Sequence, residues 1–309
     1  MNDVLLIVNP ASAGGRTGRE WPGIEARLRA AGLRFDSALT SRPAEATELA
    51  RREVKAGRPL VVAAGGDGTV HEVANGFFER DEPLATASQL GVLPVGTGGD
   101  FRRTFGMPRE PERAAAVLLA GHSRAIDAGR LACRLPDGRA ATAHFVNIAS
   151  AGIGGEVVAR VNRGGRYING EITFLVASVL TLLRWRNKPM RVVVDGQARE
   201  LVAQQVVVAN CQFFGGGMRV APRAVPDDGL LDVVVVADVG ALENLRGIAE
   251  IRRGTHLDAG NPKVTHCRAR RVELSSPESV LVEADGEQPG GVPAGFEVVP
   301  GALRLVCPE

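Results

Sequence analysis

The chain has 309 residues, 45% hydrophobic and 23% charged, enough apolar content for one large or two ordinary domains of a globular protein. A net charge of +2 and an aromatic content of 4% exclude a nucleic-acid partner held by a basic surface or by base stacking. The first apolar run, VLLIVNP (4–10), is short and has no basic region before it, so it reads as a strand and not as a signal peptide. A helix follows over WPGIEARLRAAG (21–32), with Pro22 near its start and Gly32 beyond its end. LRFDSALT (33–40) reads as a strand and SRPAEATELARREVKAG (41–57) as a helix with Pro43 in its first turn and Gly57 after its last. Then come a strand PLVVAA (59–64), a helix VHEVANGFFE (70–79), a strand LGVLPV (90–95) and a helix PERAAAVLLAG (111–121). This alternation predicts an α/β domain with an open, mainly parallel sheet and helices on both faces.

The pattern changes near Ile126. GRLACRL (129–135), ATAHFVNIAS (141–150), MRVVVDG (190–196), RELVAQQVVVAN (199–210), LLDVVVVADV (230–239), RVELSS (271–276), VLVEADGE (280–287) and FEVVPGALRLV (296–306) are Val-rich runs separated by turn residues. They predict a second, β-rich sandwich domain starting near Ala128, with helices only around Ile172–Leu183 and Ala241–Arg253. Cys133, Cys211, Cys267 and Cys307 form no C-x-x-C pair and read as reduced thiols of a cytoplasmic protein. ITFLVASVLTLL (172–183) is too short to span a bilayer. It leads into a basic, Trp-containing stretch. That stretch suits either a core helix with a solvated basic end or a membrane-facing lip, with Trp185 at the interface and Arg184, Arg186, Lys188 and Arg191 near anionic lipid.

Three strand ends carry glycines: VNPASAGGRTG (8–18), AAGGDGTVH (63–71) and LPVGTGGDF (93–101). Glycine admits backbone N–H groups to an anion, and loops after parallel strands gather at one sheet edge, where ligands bind. The loops together predict a nucleotide phosphate site, although Thr69 and Glu72 also fit the S/T-x-x-E capping box of a plain strand-to-helix turn. No G-x-x-x-x-G-K-[ST] occurs. G-x-G-x-x-G fails at its last glycine at His71, Phe101 and Val157, which disfavours a P-loop or Rossmann site.

N-P-x-S (Asn9–Ser12), G-G-D-G-T (Gly65–Thr69), P-x-G-T-G-x-D (Pro94–Asp100), the segment 209–233 and EADGE (283–287) together resemble the diacylglycerol kinase catalytic family, its bacterial lipid kinases in particular. The G-G-D-G-T motif is shared with NAD kinases and phosphofructokinases. The resemblance implies an NAD-kinase-like α/β domain over 1–127, a β-sandwich lipid-substrate domain over 128–293, a return of 294–309 to the first domain, and a nucleotide between the two. It implies ATP contacts at Asn9, Ser12, Thr40, Gly65, Gly66, Asp67, Gly68, Thr69, Val70, His71, Gly96 and Thr97. Glu287 matches the general base, and Asp67 joins it in catalysis. Asp228, with the backbone oxygens of Val225 and Leu230, matches a magnesium site. Asp67 and Asp100 are further direct or water-mediated magnesium ligands. From its local sequence alone, Asp228 suits a hairpin Asp-Gly as well as a metal, and Glu287 suits an exposed turn. Asp285 is either a partner of Glu287 or the turn residue. Two positions depart from the family: Gly99 stands where Asn is usual, and Ala13 where glycine is frequent.

The expected function is therefore an ATP- and Mg2+-dependent lipid kinase, cytoplasmic and peripheral at the membrane, acting on a lipid hydroxyl such as that of diacylglycerol. The alternatives are a soluble NAD-kinase-like enzyme and a catalytically weak nucleotide- or lipid-binding regulator. Nothing in the sequence excludes an oligomer.

Overall fold

The computed structural model describes residues 2–163, 180–182 and 184–309. Most of the helix expected at Ile172–Leu183 lies outside the described residues. The chain divides into two compact units, Met1–Ile126 with Gly301–Glu309, and Asp127–Pro300.

The first unit contains β1 (Val4–Val8), α1 (Arg16–Ala30), β2 (Asp36–Leu39), α2 (Glu45–Lys55), β3 (Leu60–Gly65), α3 (Asp67–Asn75), β4 (Phe78–Glu79), β5 (Glu82–Pro83), β6 (Gln89–Pro94), α4 (Asp100–Thr104), α5 (Pro111–Ala120) and the start of β7 (Ser123–Arg134). The strands β2, β1, β3 and β6 lie side by side in that order, all parallel. The chain's last strand extends the sheet through a parallel pairing of Leu305 with Leu90. β1 and β3 are uninterrupted apolar runs because helices cover both faces of the sheet. Leu6, Val8, Val62, Ala64 and Leu93 pack with Trp21 and Leu28 of α1 and with Ala114, Ala115 and Leu118 of α5. The alternate residues face the other side, where α2 and α3 pack on β1 and β3.

Helix boundaries differ from those expected, for physical reasons. α1 begins at Arg16, after Gly15 in a left-handed conformation, and encloses Pro22. α2 begins at Glu45, beyond Pro43. α3 begins at Asp67, ends before Phe77 and has Gly66 as its N-cap, so Thr69 and Glu72 do not form a capping box. Glu72 instead accepts a hydrogen bond from the Ala46 N–H (3.3 Å) in the first turn of α2. The carboxylate satisfies a free donor of a neighbouring helix rather than of its own.

The second unit contains the rest of β7, β8 (Ala140–Phe145), β9 (Ile148–Gly152), α6 (Ile153–Arg163), β10 (Lys188–Val194), β11 (Gln197–Ala209), β12 (Leu231–Ala237), α7 (Ala241–Arg253), β13 (Val264–Ala269), β14 (Arg271–Ser275), β15 (Leu281–Ala284) and most of β16 (Glu287–Val306). Its strands run antiparallel in the order β13, β12, β11, β10, β14, β16, while β9 pairs with β11 and β15, and β15 with β16. One buried core joins Leu131, Phe145, Ala151, Val192, Val206, Val233, Val272, Val282 and Phe296. Phe145 meets Phe296 edge-on at 6.4 Å, and Gly129 makes room for it, since a Cβ there would lie 2.0 Å from Phe145 Cζ. Asp195-Gly196 and Asp285-Gly286 have both residues at positive φ, as two-residue hairpin turns matched to strand twist require. All four cysteines are free: Cys133, Cys211 and Cys307 are buried and Cys267 is exposed.

Candidate functional site

In the first unit the three glycine loops converge at the carboxyl ends of β1, β3 and β6. Asn9 N–H donates to Ala64 O (3.1 Å), Gly96 N–H to Gly65 O (3.0 Å) and Thr17 Oγ1 to Val95 O (3.2 Å). Thr40 follows β2 and donates its N–H to Val8 O (2.9 Å). The approach is closest at Gly96, where a Cβ would lie 2.5 Å from Gly66 Cα and 3.0 Å from Ser12 Oγ. Backbone touches backbone here, and that is why position 96 is glycine. Gly65, Gly66, Asp67 and Val70 after β3, with Val92, Pro94, Gly96, Gly99 and Arg102 of β6 and the segment after it, line a small cavity beside this approach.

Asp67 organises the edge of that cavity. Its Oδ2 accepts from the Gly99 and Asp100 N–H groups (2.8 and 3.1 Å) and its Oδ1 from Phe101 N–H (3.1 Å). One carboxylate from the start of α3 thereby caps α4. An ionised carboxylate offers about four acceptor positions, so this leaves capacity for one more partner. Asp100 is buried and its Oδ1 accepts from Arg103 Nη1 at 2.6 Å. Arg109 Nη2 donates to Thr97 O (3.1 Å) and Gly98 O (2.9 Å), fastening the G-T-G-G loop. Thr69 is buried with its Oγ1 beneath Gly65, where a Cβ would come within 2.2 Å, so its side chain supports the loop from below. Gly68 is exposed, and His71 lies further along α3 beside Asn75, whose Nδ2 donates to His71 O (2.9 Å).

Arg102 carries no signal by which the sequence could have singled it out. Its stem lies over Gly99 and its Nη1 donates to Met107 O (3.0 Å), while Nε is buried without a hydrogen-bond partner among the described residues. Burial, and then the nearby charges of Arg109 and Arg103, lower its pKa.

In the second unit Glu287 opens β16, directly after the Asp285-Gly286 turn, paired across the hairpin with Ala284. That turn is held from two sides. Asp285 accepts from the N–H groups of Val146 (2.9 Å), Asn147 (3.0 Å) and Ile148 (3.0 Å). Buried Glu283 accepts from Ser150 Oγ (2.8 Å) and from Gly286 N–H (3.1 Å). Asp285 is thus more than a turn former, because it fixes the backbone that presents Glu287. Asp228 Oδ1 accepts from Leu230 N–H (3.1 Å) and its Oδ2 from Arg268 Nη1 (2.8 Å), and Val225 is exposed nearby in the chain. The negative charge at Asp228 is therefore met by an arginine, and a cation there has to displace it. Among the described residues no group of three or more His, Cys, Asp or Glu side chains is placed to hold a metal.

Trp185 and Leu182 pack against Ile153 and Val157 of α6, with Lys188 Nζ 6.0 Å from the indole ring. Arg184, Arg186 and Arg191 are exposed. No helix among the described residues is long and apolar enough to cross a membrane.

Comparison with known proteins decides the family. Residues 3–131 match the diacylglycerol kinase catalytic domain, and residues 147–307 match the YegS C-terminal NAD kinase beta sandwich-like domain. The diacylglycerol kinase of Mycobacterium tuberculosis is 31% identical over 309 residues, covering 99% of this chain and 95% of its own. The chain belongs to the diacylglycerol kinase family. It is accordingly a lipid-kinase-type phosphotransferase with an alcohol group as acceptor. A solved diacylglycerol kinase structure from Bacillus anthracis superposes with a TM-score of 0.72 at 25% identity, covering 99% of this chain and 96% of its own. Yeast NADH kinase shares the fold at a TM-score of 0.53 and 12% identity, covering 99% and 83%. The chain thus joins an α/β unit to a β-rich unit, as the sequence pattern predicts, in the NAD-kinase-like fold that the resemblance implies.

Proposed function

We propose that this chain transfers the γ-phosphate of ATP to the hydroxyl of a lipid such as diacylglycerol, with Glu287 as general base. The observation that carries the reading is the meeting of three glycine loops at the carboxyl ends of parallel strands, where Gly66 and Gly96 approach backbone to backbone beside Ser12 and the loops after β3 and β6 line a cavity. Phosphoryl transfer asks little covalent chemistry of a protein. It asks for the phosphates to be held in line and their charge offset, and for the acceptor's proton to be taken. The loops bearing Asn9, Ser12, Gly65, Gly66 and Gly96 cradle the phosphates. Glu287, on a turn fixed by Asp285 and Glu283, accepts the hydroxyl proton.

Magnesium, which offsets phosphate charge when bound, fits Asp67, whose carboxylate lines the cavity and keeps an acceptor position. Asp228 and Asp100 are the further candidates, where a cation would displace Arg268 and Arg103 respectively. A peripheral membrane contact is supported by the exposed Arg184, Arg186 and Arg191, which suit an anionic lipid surface.

The test is to incubate the purified protein with magnesium, γ-labelled ATP, a panel of lipid alcohols in mixed micelles, and NAD. Labelled lipid is expected, lost in Glu287→Gln with ATP affinity unchanged. Label in NADP alone overturns the lipid acceptor, and full activity of Glu287→Gln overturns the base.

A further inference from the structure

The segment between β6 and α5 carries three arginines, and among them Arg102 is the one with a buried guanidinium nitrogen that has no hydrogen-bond partner among the described residues. Arg103 is paired with buried Asp100 at 2.6 Å. Arg109 gives Nη2 to the carbonyls of Thr97 and Gly98 at 3.1 and 2.9 Å. Arg102 makes one hydrogen bond, Nη1 to Met107 O, and buries its Nε without any among the described residues. A guanidinium has five N–H donors, and a buried charged donor left unpaired is costly. Asp67, a carboxylate whose charge acts on Arg102, already accepts three backbone N–H bonds. Like charges crowd Arg102, and its pKa is lowered in consequence of burial first and of Arg109 and Arg103 second. The group lines the cavity of the glycine loops together with Gly66, Asp67, Gly96 and Gly99.

Gly99 explains how the side chain gets there. Its φ is +88°, and a Cβ would lie 2.9 Å from Arg102 Nε, 3.0 Å from Cδ and 3.2 Å from Cγ. The arginine stem occupies the space that any side chain at position 99 would fill. An incompletely paired cation that lines a cavity beside the glycine loops is a group that a phosphate oxygen completes.

We propose that Arg102 is a phosphate-contacting residue of the nucleotide site, and that the missing side chain at Gly99 is what admits it. The inference rests on the reading that the glycine loops hold ATP. A merely structural arginine, tying α4 to Met107, would affect stability but not the discrimination between phosphorylated and unphosphorylated nucleosides.

The experiment is calorimetric titration of the full chain with ATP and with adenosine, for wild type, Arg102→Ala, Arg102→Lys, Gly99→Asn and the Gly99→Asn/Arg102→Ala double variant. Loss of one charge-assisted contact is expected to weaken ATP by about ten- to a hundredfold in Arg102→Ala, with adenosine unchanged. Lysine keeps the charge without the planar fork and should recover part of the loss. Asparagine tolerates a left-handed backbone, so Gly99→Asn tests displacement of the arginine without breaking the turn. It should weaken ATP comparably and add nothing in the double variant. An unchanged ATP-to-adenosine ratio in folded Arg102→Ala or Gly99→Asn overturns the role of Arg102 while leaving the nucleotide site intact. Absence of ATP binding in wild type overturns the underlying reading instead. Should Arg102→Ala fail to fold, the Arg102→Lys and Gly99→Asn ratios decide the matter alone.

Discussion

A Cβ at Gly96 would lie 2.5 Å from Gly66 Cα and 2.6 Å from Gly66 N, both backbone atoms of another strand's loop. No flexible side-chain end can swing aside, so Gly96→Ala has to separate the two loops, at the ~1–3 kcal/mol typical of overpacking. The expected result is a lowered Tm together with at least about a tenfold loss in ATP affinity, since the amides no longer converge. Gly23→Ala is the control: it lies in α1 with open space around it, and the better helix former should leave binding unchanged while stabilising by up to ~1 kcal/mol. Wild-type ATP affinity in Gly96→Ala, by titration calorimetry, would show the loop contact to be irrelevant to binding. Asp285 makes a second, separable case. Asparagine accepts the left-handed φ of 51° but has one acceptor oxygen where three N–H groups need holding. Asp285→Asn should therefore lower kcat by at least about tenfold through misplaced Glu287, with ATP affinity preserved. Steady-state kinetics beside an ATP titration separate this from a general loss of folding, in which both would fall.

These same positions show what can be read from a sequence and what cannot. β1 and β3 announce themselves as unbroken apolar runs, as strands of a parallel sheet covered on both faces do. The start of α3 does not announce itself. Its N-cap, Gly66, has no side chain, and the carboxylate that looks like its capping partner, Glu72, reaches across to α2. β16 is one strand from Glu287 to Val306, whereas the sequence shows a strand run only over 296–306 and reads as an exposed turn around Glu287 and Pro289. Its glycines mark close backbone approaches instead: a Cβ at Gly290 would lie 2.4 Å from Arg134 O. Arg102 and Arg268 were illegible because their roles depend on tertiary neighbours. So was His256, in the loop after α7, which is 3% exposed, donates Nε2–H to Val220 O (2.9 Å) and leaves Nδ1 without a partner among the described residues. Burial lowers its pKa, outweighing the opposite pull of the Val220 carbonyl, Glu250 and Asp258 and reinforced by His266. A histidine with a lowered folded-state pKa binds more protons unfolded than folded. Its stabilising contribution is thus complete above pH ~6.5 and is lost as pH falls below that value. The slope is at most ~1.4 kcal/mol per pH unit. Between pH 7.5 and 5.5 the Tm of wild type should fall more steeply than that of His256→Gln, and parallel curves would remove His256 from the acid response.

The chain leaves the first unit through β7 and returns to it through the end of β16, so its last residues belong to the same core as its first. Leu303, Leu305 and Val306 are 2%, 0% and 1% exposed, and Leu305 pairs with Leu90 beside β6. Burying such side chains contributes about 1.5–3 kcal/mol each, and their sum approaches the whole stability of an ordinary domain, ~5–15 kcal/mol. Ending the chain at Pro300 should therefore unfold the first unit or leave it marginal, although every glycine loop remains in the sequence. ATP binding should disappear and the denaturant midpoint of the first unit should drop, while the second unit, with its own core, keeps a cooperative transition. Removing only Pro308 and Glu309 costs the exposed His122–Glu309 ion pair, worth ~0–1 kcal/mol, and should leave both transitions in place. A chain ending at Pro300 that binds ATP with wild-type affinity would mean that the sheet of the first unit is complete at β6, and that the returning strand serves the second unit alone.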